Sequence, residues 1–240
     1  MKAILAQTKI ELILTLRRGE SVLLTFAIPV LLLGFFSMVD VLPTDTKKSV
    51  DFLVPGVLAL AVMSTAMVSL AIATGFERSM GVLKRLGATP LTRPQLLVAK
   101  TISILAIEAL QVVVLLVEGL ALGWRLHGGS LGLALAAMVL ASVGFAGIGM
   151  LMAGSLPALT TLAAANGVYF VLLLLGGMIV PLAKLPGALE WFAKALPSGA
   201  LSQATHGALA GTGVPSSAWL VLLAWAVVAP ALGAWRFRWE

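Results

Sequence analysis

Polar chemistry has few places to sit in this sequence. Two carboxylates, Glu108 and Glu118, and one amide, Gln111, stand inside a long apolar run, and the two histidines, His127 and His206, lie elsewhere. Gln111 follows Glu108 by three residues, so on a helix the two share a face one turn apart. Glu118 is rotated from Glu108 by about 80° at 3.6 residues per turn. An ionised carboxylate deep in such a run costs several kcal/mol, so it must face a bundle interior, pair, or keep its proton. For Glu108 two readings stand side by side. It could line a polar route or meet a cationic solute, or it could hydrogen-bond a neighbouring helix through Ser64, Thr65 or Asn166. Glu118 reads as interfacial, Asn166 as a helix–helix contact and His206 as a solvated or interfacial residue.

Other chemistries find no support. There is no cysteine, which excludes disulfides, thiolate metal sites and cysteine nucleophiles. No His–Asp, Glu-x-x-His or Ser–His arrangement points to catalysis. Met63, Met67, Met138, Met150 and Met152 fall in apolar runs and read as packing, so no metal is expected. A phosphate-binding G-x-x-x-x-G-K-[ST] loop is also missing; the stretch from Gly81 to Gly87 lacks the Lys-Ser/Thr pair after its second glycine.

The elements that must carry these residues follow from composition. Of 240 residues, 60% are hydrophobic and 11% charged, an excess of apolar surface that only lipid can cover. A spanning helix needs about 20 mostly apolar residues. Six segments qualify, at about 22–39, 52–75, 96–122, 131–152, 159–180 and 218–235, leaving too little chain for a soluble domain. The expectation is one membrane-embedded domain over 1–240, of the all-α class with six transmembrane helices. Residues 1–20 place Leu5, Leu12 and Leu16 on one face, with Lys9 among them, and suggest a helix lying on the membrane. Asp40, Pro43, Asp45, Lys47 and Lys48 mark a polar loop. Ala61, Ser64, Thr65, Ala66 and Ser69 in the second span, and Gly144, Gly147 and Gly149 in the fourth, are small residues that allow close helix contact in lipid. The turn at Gly154, Ser155 and Pro157 has no charge and must be tight. Between the fifth and sixth spans, Pro181, Pro186, Pro197 and Pro215 leave room only for two short helices, near 185–196 and 198–209.

The formal charge of +6 does not read as nucleic-acid binding, because the basic residues sit at segment ends. With both termini cytoplasmic, Lys47, Lys48, Arg125, Lys184 and Lys194 lie outside. The larger share of Lys and Arg, including Lys9, Arg17, Arg78, Lys84, Arg85, Arg93 and Lys100, then lies inside. Trp219 and Trp235 fall where interfacial aromatic anchors belong. The expected location is the cell (inner) membrane, multi-pass.

The longest charged stretch between spans runs from Glu77 to Pro90. Leu83 and Leu86 share one side, Lys84 and Arg85 lie near them, and Gly87 and Pro90 stop the turn. A short helix held between two spans is a lever for a partner that grips it. The run from Glu77 through Arg78, Gly81, Leu83, Lys84, Arg85 and Leu86 to Leu91 resembles the first cytoplasmic coupling loop of ABC-2 exporter permeases. Gly177, Pro181, Leu185, Pro186, Leu189 and Pro197 are similar to that family's pattern before the last span. The sequence departs from the family where many members carry a basic residue in the next short helix; here stand Ser202, Gln203 and His206.

The resemblance implies a transmembrane permease that hydrolyses nothing itself. The expected partners are an ABC ATP-binding subunit carrying ATP and Mg, a second permease copy or a homologous permease, and membrane lipid. Glu77, Arg78, Gly81, Leu83, Lys84, Arg85 and Leu86 would couple to the ATPase. Glu108, Gln111 and Asn166 are candidates for the translocation path, and the short helices near Gly177, Pro181, Pro186 and Pro197 would lie outside. So few intramembrane charges suit a hydrophobic or amphipathic cargo such as a drug, lipid or envelope component. The alternative is a proton-coupled transporter with Glu108 as proton site, although the two halves show no internal repeat.

Overall fold

The computed structural model describes residues 2–17, 19–39, 49–126, 128–179 and 181–237. The polar loop expected at Asp40 to Lys48, His127, Val180 and the tail beyond Phe237 lie outside the described residues. Among the described residues every regular element is helical: α1 (Lys2–Arg17), α2 (Gly19–Met38), α3 (Ser49–Met63), a π-helical turn (Ser64–Ser69), α4 (Leu70–Ser79), α5 (Val82–Gly87), α6 (Arg93–Ala121), α7 (Leu131–Ser155), α8 (Ala158–Leu175), a 3-10 turn (Leu182–Lys184), α9 (Gly187–Ala195), α10 (Pro197–Leu209) and α11 (Ser216–Arg236).

Among the described residues, five helices are long and apolar enough to cross a membrane: Ser49–Ser79 (α3, the π-turn and α4 end to end), α6, α7, α8 and α11. The expected first span is α2, whose apolar part, Thr25–Met38, is shorter. Ser49–Ser79 is the central element. Its apolar stretch is 72% buried, against 17% for α8 and 22% for α11. A helix apolar on all sides belongs inside the bundle, and from Phe52 to Met63 every residue of α3 is buried.

Two expected boundaries move, for identifiable reasons. The fifth span stops at Leu175 rather than near 180, because Gly176 caps it and Gly177 turns the chain at φ 69°. The second span continues past Gly75 to Ser79, so Glu77 and Arg78 belong to its last turn and not to a loop. α6 begins on a capping box. The Thr92 hydroxyl accepts from Gln95 N–H, the Gln95 side chain accepts from Thr92 N–H at 3.0 Å, and Pro94 occupies the first turn.

Small residues set the most extensive helix–helix contact, between α7 and α11. A Cβ on Gly147 would stand 2.3 Å from the Pro230 nitrogen, and one on Gly144 would press on Trp225. The backbones therefore touch, which is how helices associate where lipid offers no hydrophobic drive.

Proline creates a different problem in α2. Pro29 has no N–H, so it cannot be the donor that the Thr25 carbonyl one turn earlier would meet in a regular α-helix. Gln111 of α6 supplies one: its Nε2 donates to Thr25 O at 2.9 Å. Its Oε1 accepts from the Thr65 hydroxyl at 3.0 Å, inside the π-turn. One amide thus joins the kink of α2 to the irregular turn of the central span. Gln111→Leu is expected to cost about 1–2 kcal/mol, the upper range for polar contacts in membrane bundles. In a Pro29→Ala background, where residue 29 can donate to Thr25 itself, most of that cost should vanish. A double-mutant cycle read by denaturation of the purified protein measures the coupling; additive effects would show that Gln111 only fills space.

Candidate functional site

By sequence, Lys100 is one more cation of the positive face. In the structure it is 1% exposed, two turns inside α6. Its Nζ lies 2.9 Å from Glu11 Oε2 of α1 and 2.7 Å from Glu77 Oε2 of α4. Gln7 Nε2 donates to the other Glu11 oxygen at 2.7 Å, and the Thr8 hydroxyl reaches Ala99 O. α1 is thereby fastened to α6 and to the end of the central span by buried polar groups. A buried ammonium is tolerable only when paired and hydrogen-bonded, and these two carboxylates meet that condition.

One turn after Glu77 comes α5. Gly81 precedes it at φ 71°, a left-handed conformation open to glycine, and lets the chain reverse between α4 and α5. Leu83 is fully buried and folds α5 back onto the bundle, whereas Leu86 is half-buried. Met80, Val82, Lys84 and Arg85 are exposed. Arg78 donates from Nη1 to Ala153 O at 2.9 Å and from Nη2 to Leu156 O at 3.0 Å. It therefore closes the C-terminal end of α7, where free carbonyls and the helix dipole favour a cation. The chargeless turn at Gly154–Pro157 borrows its charge from another helix.

The seven residues of this segment divide into two groups. Glu77, Arg78 and Leu83 point into the protein and anchor the segment, and Gly81 shapes it. Lys84 and Arg85, with Leu86 at the margin, remain on the surface. Burial in this chain thus leaves Lys84, Arg85 and part of Leu86 as the side of the segment open at the surface. Sequence reasoning missed Lys100 and Glu11, although a lysine two turns inside an apolar helix is itself a signal that a carboxylate must be near.

The intramembrane polar residues are also internal. Glu108 is 4% exposed and faces Ser142 of α7, whose hydroxyl also lies 2.8 Å from Met138 O. The expected partners Ser64, Thr65 and Asn166 do not supply its hydrogen bond, since α6 turns this residue toward α7. Gln111 is 2% exposed. Asn166 donates to Leu162 O of its own helix at 2.8 Å. Glu118 is half-buried; a Cβ on Gly34 of α2 would come within 3.3 Å of its Oε1. Glu108 and Gln111 are thus enclosed among helices of this chain.

At the opposite end, the Gly177 carbonyl accepts from Ser202 Oγ at 2.8 Å, while Pro181 and Pro186 precede the 3-10 turn and α9, and Pro197 opens α10. His206 is half-buried and held at both ring nitrogens. Its Nδ1 lies 2.8 Å from Ser202 O and its Nε2 3.1 Å from Phe52 O, with the Phe52 ring 4.6 Å away. It pins α10 to the central span.

This arrangement, with a short helix slung between two spans and the proline-broken stretch before the last, coincides with a match to the ABC-2 type transporter family over residues 2–207. The chain belongs to that family. No curated protein matches it significantly. As an ABC-2 chain it is the membrane permease component, of a kind generally non-catalytic and generally partnered by an ABC ATP-binding subunit. The match begins with α1 and ends in α10, so both ends of the site fall within it.

Two outcomes test the site. Lys100→Met leaves two buried carboxylates without their cation and should cost about 3–5 kcal/mol. Adding Glu11→Gln and Glu77→Gln should restore much of that loss in the same denaturation assay. At His206, burial holds the ring below its usual pKa, the bonds to the Ser202 and Phe52 carbonyls pulling the other way. A depressed histidine pKa stabilises the fold above the unfolded value of about 6.5. Thermal stability should therefore fall as pH drops from about 6.5 to 5, and His206→Asn should flatten that part of the profile.

Proposed function

We propose that this ABC-2 chain is the transmembrane subunit of an ATP-driven exporter that moves a hydrophobic or amphipathic molecule out of the cytoplasm or inner leaflet. Its 240 residues form one membrane domain in the cell (inner) membrane, crossing six times when α2 is counted, with both termini cytoplasmic. ATP and Mg reside on the partner ATPase. A second copy or a homologous permease completes the pore, and no nucleic acid takes part.

The observation that carries this reading is the construction of the segment from Glu77 to Pro90. α4, which leads into α5, is tied to α1 and α6 through Glu77 and Lys100 and to the end of α7 through Arg78. A push on the segment's exposed side, at Met80, Val82, Lys84 and Arg85, is thereby passed to several membrane helices at once. An ordinary loop serving only charge topology needs neither the buried leucine nor internal ion pairs. Glu108, held against Ser142, is read as a contact between α6 and α7.

The protein purified alone is expected to show no ATPase activity. Co-expressed with its ATPase, it should co-purify in a complex that Lys84→Glu with Arg85→Glu weakens by at least tenfold, while stability of the free chain changes by about 0.5 kcal/mol or less, as for exposed sites. Crosslinks to the ATPase should form from residues 80, 84 and 85 and be absent from residue 83. ATP hydrolysis by the isolated chain, or an intact complex indifferent to the charge reversal, would overturn the proposal.

A further inference from the structure

α1 is turned inside out. Its buried side carries Gln7, Thr8 and Glu11, while Leu5, Ile10 and Leu16 are 64%, 51% and 53% exposed, with Ile13 and Leu14 beside them. In water that orientation would waste the apolar face; against acyl chains it is the favourable one. The Lys100 pairing fixes the rotation, because turning α1 over would strip the ammonium of Glu11.

Lys9 lies at the centre of the apolar sector, one turn from both Leu5 and Ile13, and is exposed. Its aliphatic stem can run along those neighbours, but its ammonium needs an anion at the depth of the lipid headgroups. Arg17, two turns further along the same side, is exposed as well. No carboxylate among the described side chains at this end competes for them. Glu11 and Glu77 are both engaged with Lys100, and the exposed charges described here, at Lys9, Arg17, Lys84, Arg85 and Arg93, are all basic.

We propose that the outer face of α1 is a binding surface for anionic phospholipid, with Lys9 and Arg17 contacting headgroup phosphate and the Leu5–Ile13 strip receiving acyl chain. A zwitterionic lipid offers a phosphate already balanced by its own cation, so the surface selects net negative headgroups. The inference rests on the membrane location of the chain and not on ATP-driven transport, and its failure would leave the coupling segment untouched.

Native mass spectrometry of the full-length protein, released from mild detergent with phosphatidylglycerol and phosphatidylcholine of identical acyl chains, tests this. Phosphatidylglycerol should be retained preferentially. Lys9→Gln and Arg17→Gln should each reduce that preference by about fivefold, the weight of one basic residue at an anionic surface. Leu5→Gln with Ile13→Gln should reduce retention of both lipids, and Lys84→Gln with Arg85→Gln should leave the preference in place. Equal retention of the two lipids by the unaltered protein, or a preference unmoved by the Lys9 and Arg17 variants, overturns the proposal. So does a preference that disappears once the ATPase is bound, which would assign this face to the partner protein.

Discussion

A backbone carbonyl or amide without a partner costs several kcal/mol in hydrocarbon, and this fold is organised around the places where one comes free. Pro29 releases the Thr25 carbonyl, and Gln111 takes it. The end of α7 releases Ala153 O and Leu156 O, and Arg78 takes both. The turn after α8 exposes Gly177 O, and Ser202 takes it. In each case the rescuer comes from a different helix. Repairs of local backbone defects are therefore also the contacts that set how the helices sit against one another.

The charge cluster at Lys100 follows the same logic with higher stakes. Three elements far apart in sequence are brought to one ammonium, which fixes the end of α4 from which α5 extends. A flexible attachment would absorb a displacement of α5. A buried ion pair, costly to break and costly to leave half-made, passes it on. The exposed remainder of the segment can then vary its chemistry to suit a partner without disturbing the framework behind it.

Much of this was legible in the sequence, because bulk hydrophobicity and proline spacing are local signals. The long apolar runs appear as helices within a few residues of their expected limits, and the proline-broken stretch holds two short helices. What could not be read was which side of each helix faces which neighbour. Glu108 pairs with Ser142 rather than with Thr65, and Thr65 goes to Gln111, because the rotation of α6 is set by several contacts at once. Glu77 and Arg78 looked like loop charges since a charge usually ends a span. Their partners, Lys100 and the α7 carbonyls, lie 23 and at least 75 residues away, beyond any periodicity argument. The pairing of α1 was hidden for the opposite reason: its apolar face was visible, but the value of its polar face depended on a lysine in another helix.

The π-turn at Ser64–Ser69 has a quieter consequence. A π-turn takes up about one residue more than an α-turn, so it advances the phase of everything after it by about 100°. The central span is thus two half-helices in different angular registers, joined without a break. The first half is set for α10, where Phe52 meets His206; the second is set for α6 and α7, where Glu77 and Arg78 find their partners. A straight helix of the same sequence could satisfy one end only. Gain or loss of a single residue here would reassign the contacts at one end, so the length of this turn sets the match between the two halves.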